Sequence, residues 1–270
     1  MTAVLAAAGR RPPPATRQEI TAGIIAAAAL LRSDRGMLAG SIATTGPRQA
    51  ALDLRWSVYR GAVAHALALA GQLYNDEATG QLPALESRTS SVPLVADAQR
   101  WVNQRTDLIV SQTQMALLAV AAYAAARRMD PWATAGLLNR AAGLNRPQAL
   151  AVAAMRPPVG MKQGAVSLER APDRLAESYL RGRADLIGAT ETHAAAVAGA
   201  VDTWMAVLTG QNRSESLILQ WSGGTCDVCA PLDGTTAPLD TGFDVGLPPV
   251  HPHCSCGVDL VDVSDQEAAA

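Results

Sequence analysis

Thr225-Cys226-Asp227-Val228-Cys229-Ala230-Pro231-Leu232-Asp233-Gly234 and, a little further on, Val250-His251-Pro252-His253-Cys254-Ser255-Cys256 hold every cysteine of a 270-residue chain. Two pairs of thiols with an imidazole beside the second are the soft donors that a tetrahedral Zn²⁺ ion takes. A Cys-x-x-Cys turn wraps two sulfurs around one ion. The candidates Cys226, Cys229, His251, Cys254 and Cys256 exceed the four positions of such a site, so one of them is spare. Residues i and i+2 of an extended chain face the same way, which lets Cys254 and Cys256 both reach the ion and leaves His251 just outside a four-cysteine site. In the other set His251 and Cys254 bind across a turn and Cys256 is buried. His253 alternates away from His251 and is the poorer ligand. The competing reading is structural disulfides or free buried thiols.

Thiolate-rich sets belong to closed structural sites. A catalytic zinc keeps an open position with a general base beside it, and the chain has nothing like His-Glu-x-x-His. The ion is therefore expected to be structural. Its surroundings read as a small β-rich module over 212–263. Leu217-Ile218-Leu219-Gln220-Trp221 is a strand, Leu232-Asp233-Gly234-Thr235 a hairpin-type turn, and Cys256 to Val263 a closing strand. So short a segment with few large apolar residues needs a staple to fold. The residues after it, 264–270, are an acidic, alanine-rich tail.

Working outward, the rest of the chain reads as helix. Alanine makes up about a fifth of the sequence and aromatics only 4%. Alanine favours helix but buries little area, so long, closely packed helices are expected, anchored by Leu, Ile, Val and the five tryptophans. The fold class is mainly α, with long Ala-rich helices followed by the zinc-stabilised module. Residues 1–15 are expected to be disordered, and 16–160 to form an α-helical domain. In that domain Thr16-Arg17-Gln18-Glu19 is a capping box opening a helix to about Leu31. Ser33 to Gly46 reads as a loop. Pro47 opens a helix to about Asn75 that carries Leu52, Trp56, Tyr59 and Val63 on one stripe. His65, alone on that helix, reads as an ordinary surface or core histidine. A helix or helix pair runs from about Leu94 to Arg128, Asp130-Pro131 starts a short one, and Asn145-Arg146-Pro147 another. The main boundary falls in the Pro- and Gly-rich stretch 157–171, and 161–211 is linker plus the long helix that precedes the module.

The formal net charge of −2 hides an asymmetry. Residues 214–270 carry nine Asp or Glu and no Lys or Arg, whereas 1–213 carry 22 basic and 15 acidic residues. Parts of opposite sign suggest different partners. A DNA-reading finger neutralises phosphates with Lys and Arg, and the cysteine segment has none, so a folding staple or protein-docking surface is the better reading. Met1 to Ala8 lacks the basic start of a signal peptide. The longest apolar runs, Ile20–Leu31 and Met115–Ala126, are too short for a bilayer, which needs about 20 residues. A reducing compartment and no membrane partner are expected.

The two quoted stretches, together with Arg183-x-x-x-Ile187-x-x-Thr190-Glu191 upstream, resemble the C-terminal signature of Mu F-like minor head proteins, the head morphogenesis proteins of tailed bacteriophages. Cys-x-x-Cys-x-x-Leu232-Asp233-Gly234, then Pro-Pro-x-His-Pro-x-Cys-x-Cys, is specific as an ordered set. The resemblance covers roughly residues 173–262. It departs at Ser255, where the family usually carries Arg. The resemblance implies a non-enzymatic virion component. It would act inside the procapsid near the portal, in head assembly and in DNA packaging or ejection, and would meet the host cytoplasm only during assembly. Portal, capsid and scaffold proteins are the implied partners, with the basic helical region in contact with packaged DNA. Arg183 and Glu191 read as a buried polar pair tying the helix to the zinc segment, and neighbouring His193 as exposed. The alternatives are a metal-dependent nuclease or hydrolase of phage DNA processing, which needs an open coordination position near His251 or Glu191, and a free zinc-binding regulator.

Overall fold

The computed structural model describes residues 3–8, 14–81, 94–154, 171–210, 217–224, 226–251 and 254–263. In chain order the elements are β1 (Ala3–Ala8), α1 (Pro14–Leu31), α2 (Arg35–Thr45), α3 (Pro47–Leu52), α4 (Trp56–Gln81), α5 (Leu94–Ala126), α6 (Pro131–Ala141), α7 (Arg146–Ala154), α8 (Ala171–Gly210), β2 (Leu217–Ser222), β3 (Thr236–Pro238) and β4 (Gly257–Asp262). The chain is mainly helical with a small C-terminal sheet, as the composition requires. It divides into two compact units, one of 1–18, 67–103 and 186–270, the other of 19–66 and 104–185. A boundary near 160 is therefore corrected: the units interleave along the sequence, because α1, α4, α5 and α8 each contribute residues to both. The expected linker of 157–171 and the acidic tail lie almost wholly outside the described residues.

Local signals explain most of the helices. Asp130 Oδ1 accepts from Ala133 N at 2.9 Å ahead of Pro131. Asn145 and Gln148 cap α7 reciprocally, each side chain accepting the other's backbone N–H at 3.1 and 3.3 Å, which closes two orphan donors at once. Three local expectations are corrected. Helix α1 starts at Pro14, so Thr16 lies inside its first turn. Residues 35–45 are helix rather than loop: Asp34 Oδ1 accepts from Met37 N at 2.9 Å, and Leu38 and Ile42 are buried one turn apart. The helix expected to run on from Pro47 breaks after Leu52. The Trp56 indole N–H donates to Ala51 O at 3.0 Å, taking the carbonyl that a continuous helix would give to the N–H of Arg55. Hence Tyr59 and Val63 are buried as expected, while Leu52 is 37% exposed.

Within 19–66 and 104–185 the core is built by Ile20, Ile24, Leu31, Tyr59, Val63, Leu117 and Leu138, with small residues between them. Tyr59 OH and Thr113 Oγ1 share a buried hydrogen bond of 3.1 Å. Arg183 is buried here, and its Nη2 donates to Gln112 Oε1 at 3.2 Å. By length and composition, α5 has a stretch long and apolar enough to cross a membrane, Asp97–Ala126. Ala116, Leu117, Val120, Ala121 and Ala124 of that stretch are buried in the fold.

In the other unit an antiparallel sheet of order β1-β4-β2-β3 packs on the C-terminal half of α8. Leu219 pairs with Leu260 and Trp221 with Val258. β2 alternates buried and half-buried positions, the signature of a one-sided sheet. Leu217, Leu219, Val258 and Leu260 meet Val197, Val201, Trp204 and Leu208. The reading of 1–15 as disordered is corrected for Ala3–Ala8, which pairs with β4 from Ala3↔Asp262 to Ala8↔Val258. Alanine is a weak strand former, so this edge is set by tertiary pairing, and Ala6 and Ala8 are buried there. α4 and α8 touch backbone to backbone in this unit: a Cβ on Gly199 would sit 2.2 Å from Tyr74 O.

Candidate metal centre

β2 delivers the chain to the site. After Ser222 it turns through Gly223 and Gly224 and enters a tight turn in which Cys229 N and Ala230 N donate to Cys226 O at 3.0 and 2.8 Å. A single 3₁₀ turn, Ala230–Leu232, follows. The Leu-Asp-Gly segment then closes the loop onto β2. Asp233 Oδ1 accepts from Gly223 N at 2.9 Å, Gly234 takes φ +75°, and Gly234 N donates to Trp221 O at 2.9 Å. Close packing makes Gly224 necessary, since a Cβ there would lie 2.5 Å from Cys229 O. The second donor stretch approaches through Val250 and turns at His251, where Cys254 N donates to His251 O at 3.2 Å. Cys256 stands immediately before β4, which returns the chain to the sheet.

These turns bring all five candidate donors together. Cys226, Cys229 and His251 form one triad and Cys229, Cys254 and Cys256 another, each with its donor atoms within 4.8 Å of one another. His251 Nε2 lies 3.1 Å from Cys226 Sγ and 2.9 Å from Cys229 Sγ. Cys229 Sγ lies 3.8 Å from Cys254 Sγ. A tetrahedron with metal–sulfur bonds of about 2.3 Å has sulfur–sulfur edges of about 3.8 Å, so this edge already has the spacing of a metal site. The cluster could hold a metal ion. Cys229, which belongs to both triads, is its centre. His251 thus lies against both Cys226 and Cys229 at the cluster. No disulfide links the four cysteines. His253 lies outside the described residues.

The electrostatics differ from thiol to thiol. Backbone N–H groups of the Cys226–Cys229 turn, and then His251, hold the Cys226 thiol below its ordinary range. Burial pushes Cys229 and Cys256 up. A metal reverses that penalty by replacing the lost hydration of each thiolate with a bond. Trp221 and Phe243 wall the site in a T-shaped pair with centroids 5.3 Å apart, and Leu232 and Val250 pack beside them. The Trp221 indole N–H is buried without a hydrogen-bond partner of ordinary geometry. It acts on the Cys256 sulfur, whose ionised form it favours. An orphaned donor facing a thiol suits a site whose sulfurs are thiolates.

The helix motif is placed differently from the sequence reading. Arg183 is held by Gln112 in the unit of 19–66 and 104–185, whereas Glu191 is buried in the other unit. Two turns of helix separate the two positions. Ile187 and Thr190 are half-buried on the same helix. His193, expected at the surface, ties α8 to the site. It is 6% exposed, and its Nε2 lies 2.7 Å from Cys256 O. A carbonyl only accepts, so Nε2 carries the proton. Burial lowers the His193 pKa and keeps the ring neutral, against the opposing pull of that bond. The signal for His193 was present in its spacing, at i+4 from Ala189 and i−4 from Val197, but a polar residue on an apolar stripe is not readable as buried until its partner carbonyl is known.

Comparison with protein-family models, with curated proteins and with solved structures gives no match.

Proposed function

We propose that the protein is a non-enzymatic minor capsid component of a tailed bacteriophage, acting inside the procapsid near the portal in head assembly, with its C-terminal module stapled by a structural Zn²⁺ ion. The observation that carries this reading is the convergence of Cys226, Cys229, His251, Cys254 and Cys256 on one point, closed by Leu232-Asp233-Gly234 in the order of the Mu F-like signature. Three thiolates with an imidazole, or four thiolates, are the donors zinc prefers over harder ions. Zinc held there supplies folding free energy and no chemistry. Cys229, Cys254 and Cys256 are all buried, so their positions at the ion are closed to a substrate. An acidic module beside a basic helical region supports two contacts of opposite sign, a protein partner for the first and packaged DNA for the second.

The test is mass spectrometry of purified virions and procapsids of the phage that encodes the chain, with genome position as a second readout. The expected result is the protein in procapsids at low copy, encoded beside portal and scaffold genes. Absence from both particles would overturn the assignment. A hydrolase would instead lose a measurable activity on Glu191→Ala.

A further inference from the structure

Three arginines from three elements surround one cleft of about 300 Å³ in the helical unit of 19–66 and 104–185: Arg32 after α1, Arg35 at the start of α2, and Arg140 on α6. The three arginines lie in the part of the chain that the Mu F-like resemblance does not reach. Arg35 is fixed in place by its neighbours. Its Nε donates to Trp132 O at 3.1 Å, and its guanidinium lies 4.6 Å from the centre of the Trp132 ring. The guanidinium lies over Gly136, where a Cβ would stand 3.0 Å from Arg35 Nη2 and 3.1 Å from Cζ and would make the group shift by a few tenths of an ångström. Asn139 pins the adjoining chain, accepting from Ser33 N at 3.1 Å and donating to Ser33 O at 2.8 Å. Arg140 is oriented by its ion pair with Asp173.

Trp132 stands 53% exposed beside Arg35. Guanidinium groups next to an exposed aromatic ring are the combination that binds unpaired nucleotides, the cations taking phosphate and the ring taking a base face. Asp173 and Glu177 are also on the cleft wall and disfavour a purely anionic ligand, and Glu177 can accept from a base amine or a sugar hydroxyl. We propose that this cleft binds a nucleoside phosphate unit, with Trp132 stacking the base and Arg32, Arg35 and Arg140 holding the phosphate. The same chemistry is offered by an unpaired stretch of a DNA strand and by a free nucleotide. A duplex hides its base faces and cannot use Trp132. The inference rests on this cleft alone and stands whether or not the head-protein assignment does.

The experiment titrates the full chain into a fluorescein-labelled single-stranded oligodeoxynucleotide of about 12 nucleotides, the length scale of a stacking site. The same sequence as a duplex is measured in parallel, with a deoxynucleoside monophosphate as competitor. The expected result is tighter binding of the single strand than of the duplex, weakened about tenfold or more by Trp132→Ala and by Arg35→Ala. Arg60→Ala removes the same charge from the same unit at a residue paired with Asp107 rather than on the cleft, and should change binding about twofold at most. Arg35→Lys keeps the charge but loses the stacked fork, and should fall with Arg35→Ala. Competition by the monophosphate assigns the site to free nucleotides, and its failure assigns it to the strand. Equal binding of duplex and single strand, or equal losses in Arg60→Ala and Arg35→Ala, would mean diffuse charge attraction and would overturn the proposal. Trp132 is exposed and Arg35 half-buried, so an unchanged thermal transition in each variant separates lost binding from lost fold.

Discussion

Strand β2 runs between two cores of different chemistry. Leu217 and Leu219 at its start face Val197, Val201, Trp204 and Leu208 of α8, and that core is aliphatic and indole side chains throughout. Two residues on, Trp221 belongs to a second core whose other fully buried members are Cys229, Cys254 and Cys256. The first is of the kind that burial alone stabilises, at about 25 cal/mol per Å² of apolar surface. The second has one buried large side chain and three thiols, with Leu232, Phe243 and Val250 only half-buried against them, too little apolar area to order the loops that surround it. One strand thus ends in a packed face and begins a segment that needs a bond-forming ion, and the contrast says where the protein is vulnerable.

Removing the ion is the largest perturbation. Structural zinc contributes about 10 kcal/mol or more in small peptides that fold around it. Chelation, or Cys229→Ser at the donor shared by both triads, should abolish amide protection across 223–256 and the near-ultraviolet signal of Trp221. Protection at Leu219 and Leu260 and the helical circular dichroism should survive. Retained protection at 226–233 after complete demetallation would show that the second core stands on packing as the first does.

Trp204→Ala attacks the first core. Trp204 is fully buried, and its indole N–H donates to Gln81 Oε1 at 3.2 Å. The expected loss is about 3–5 kcal/mol by urea unfolding, with metal content of the folded protein unchanged. A variant that loses its metal in step with stability would join the two cores into one cooperative block.

A smaller, pH-dependent effect is expected at Asp202. Burial holds its carboxyl above the ordinary 3.8, and the Tyr74 hydroxyl, which donates to Asp202 Oδ2, opposes that shift. The fold therefore favours the protonated acid. That contribution is fully present below 3.8 and is lost as pH rises through the folded value. Asp202→Asn cannot titrate, so wild type should gain stability relative to it on acidification through that window. A pH-independent difference would show the side chain to be hydrated in the fold. The smallest effect belongs to Arg60–Asp107, an ion pair whose side chains are 53% and 61% exposed. A double-mutant cycle should give about 0–1 kcal/mol, shrinking with salt.

Legibility in the sequence follows the same division. The donors, the turn at Leu232-Asp233-Gly234 and the strands beginning at Leu217 and ending near Val263 were readable because each is fixed by local chemistry. Residues whose place depends on distant partners were not. Ala3–Ala8 became a strand because β4 offered an edge, although its composition favours helix. His193 was buried by a carbonyl 63 positions away. Gly36 and Gly40 hid α2, which Asp34 caps and Leu38 and Ile42 anchor. The helix from Pro47 broke where a tryptophan side chain took over a backbone acceptor. Interleaving of the two units is invisible to any reading that looks for linkers.

The central claim is that the cysteine core is held by an ion. Elemental mass spectrometry of the natively purified protein, with free thiols counted before and after chelation, tests it most directly. The account predicts about one zinc per chain, with thiols unreactive until the chelator removes it and the protection of 223–256 lost at the same step. Metal-free protein whose four cysteines are freely reactive and whose cysteine region is nevertheless ordered would contradict it.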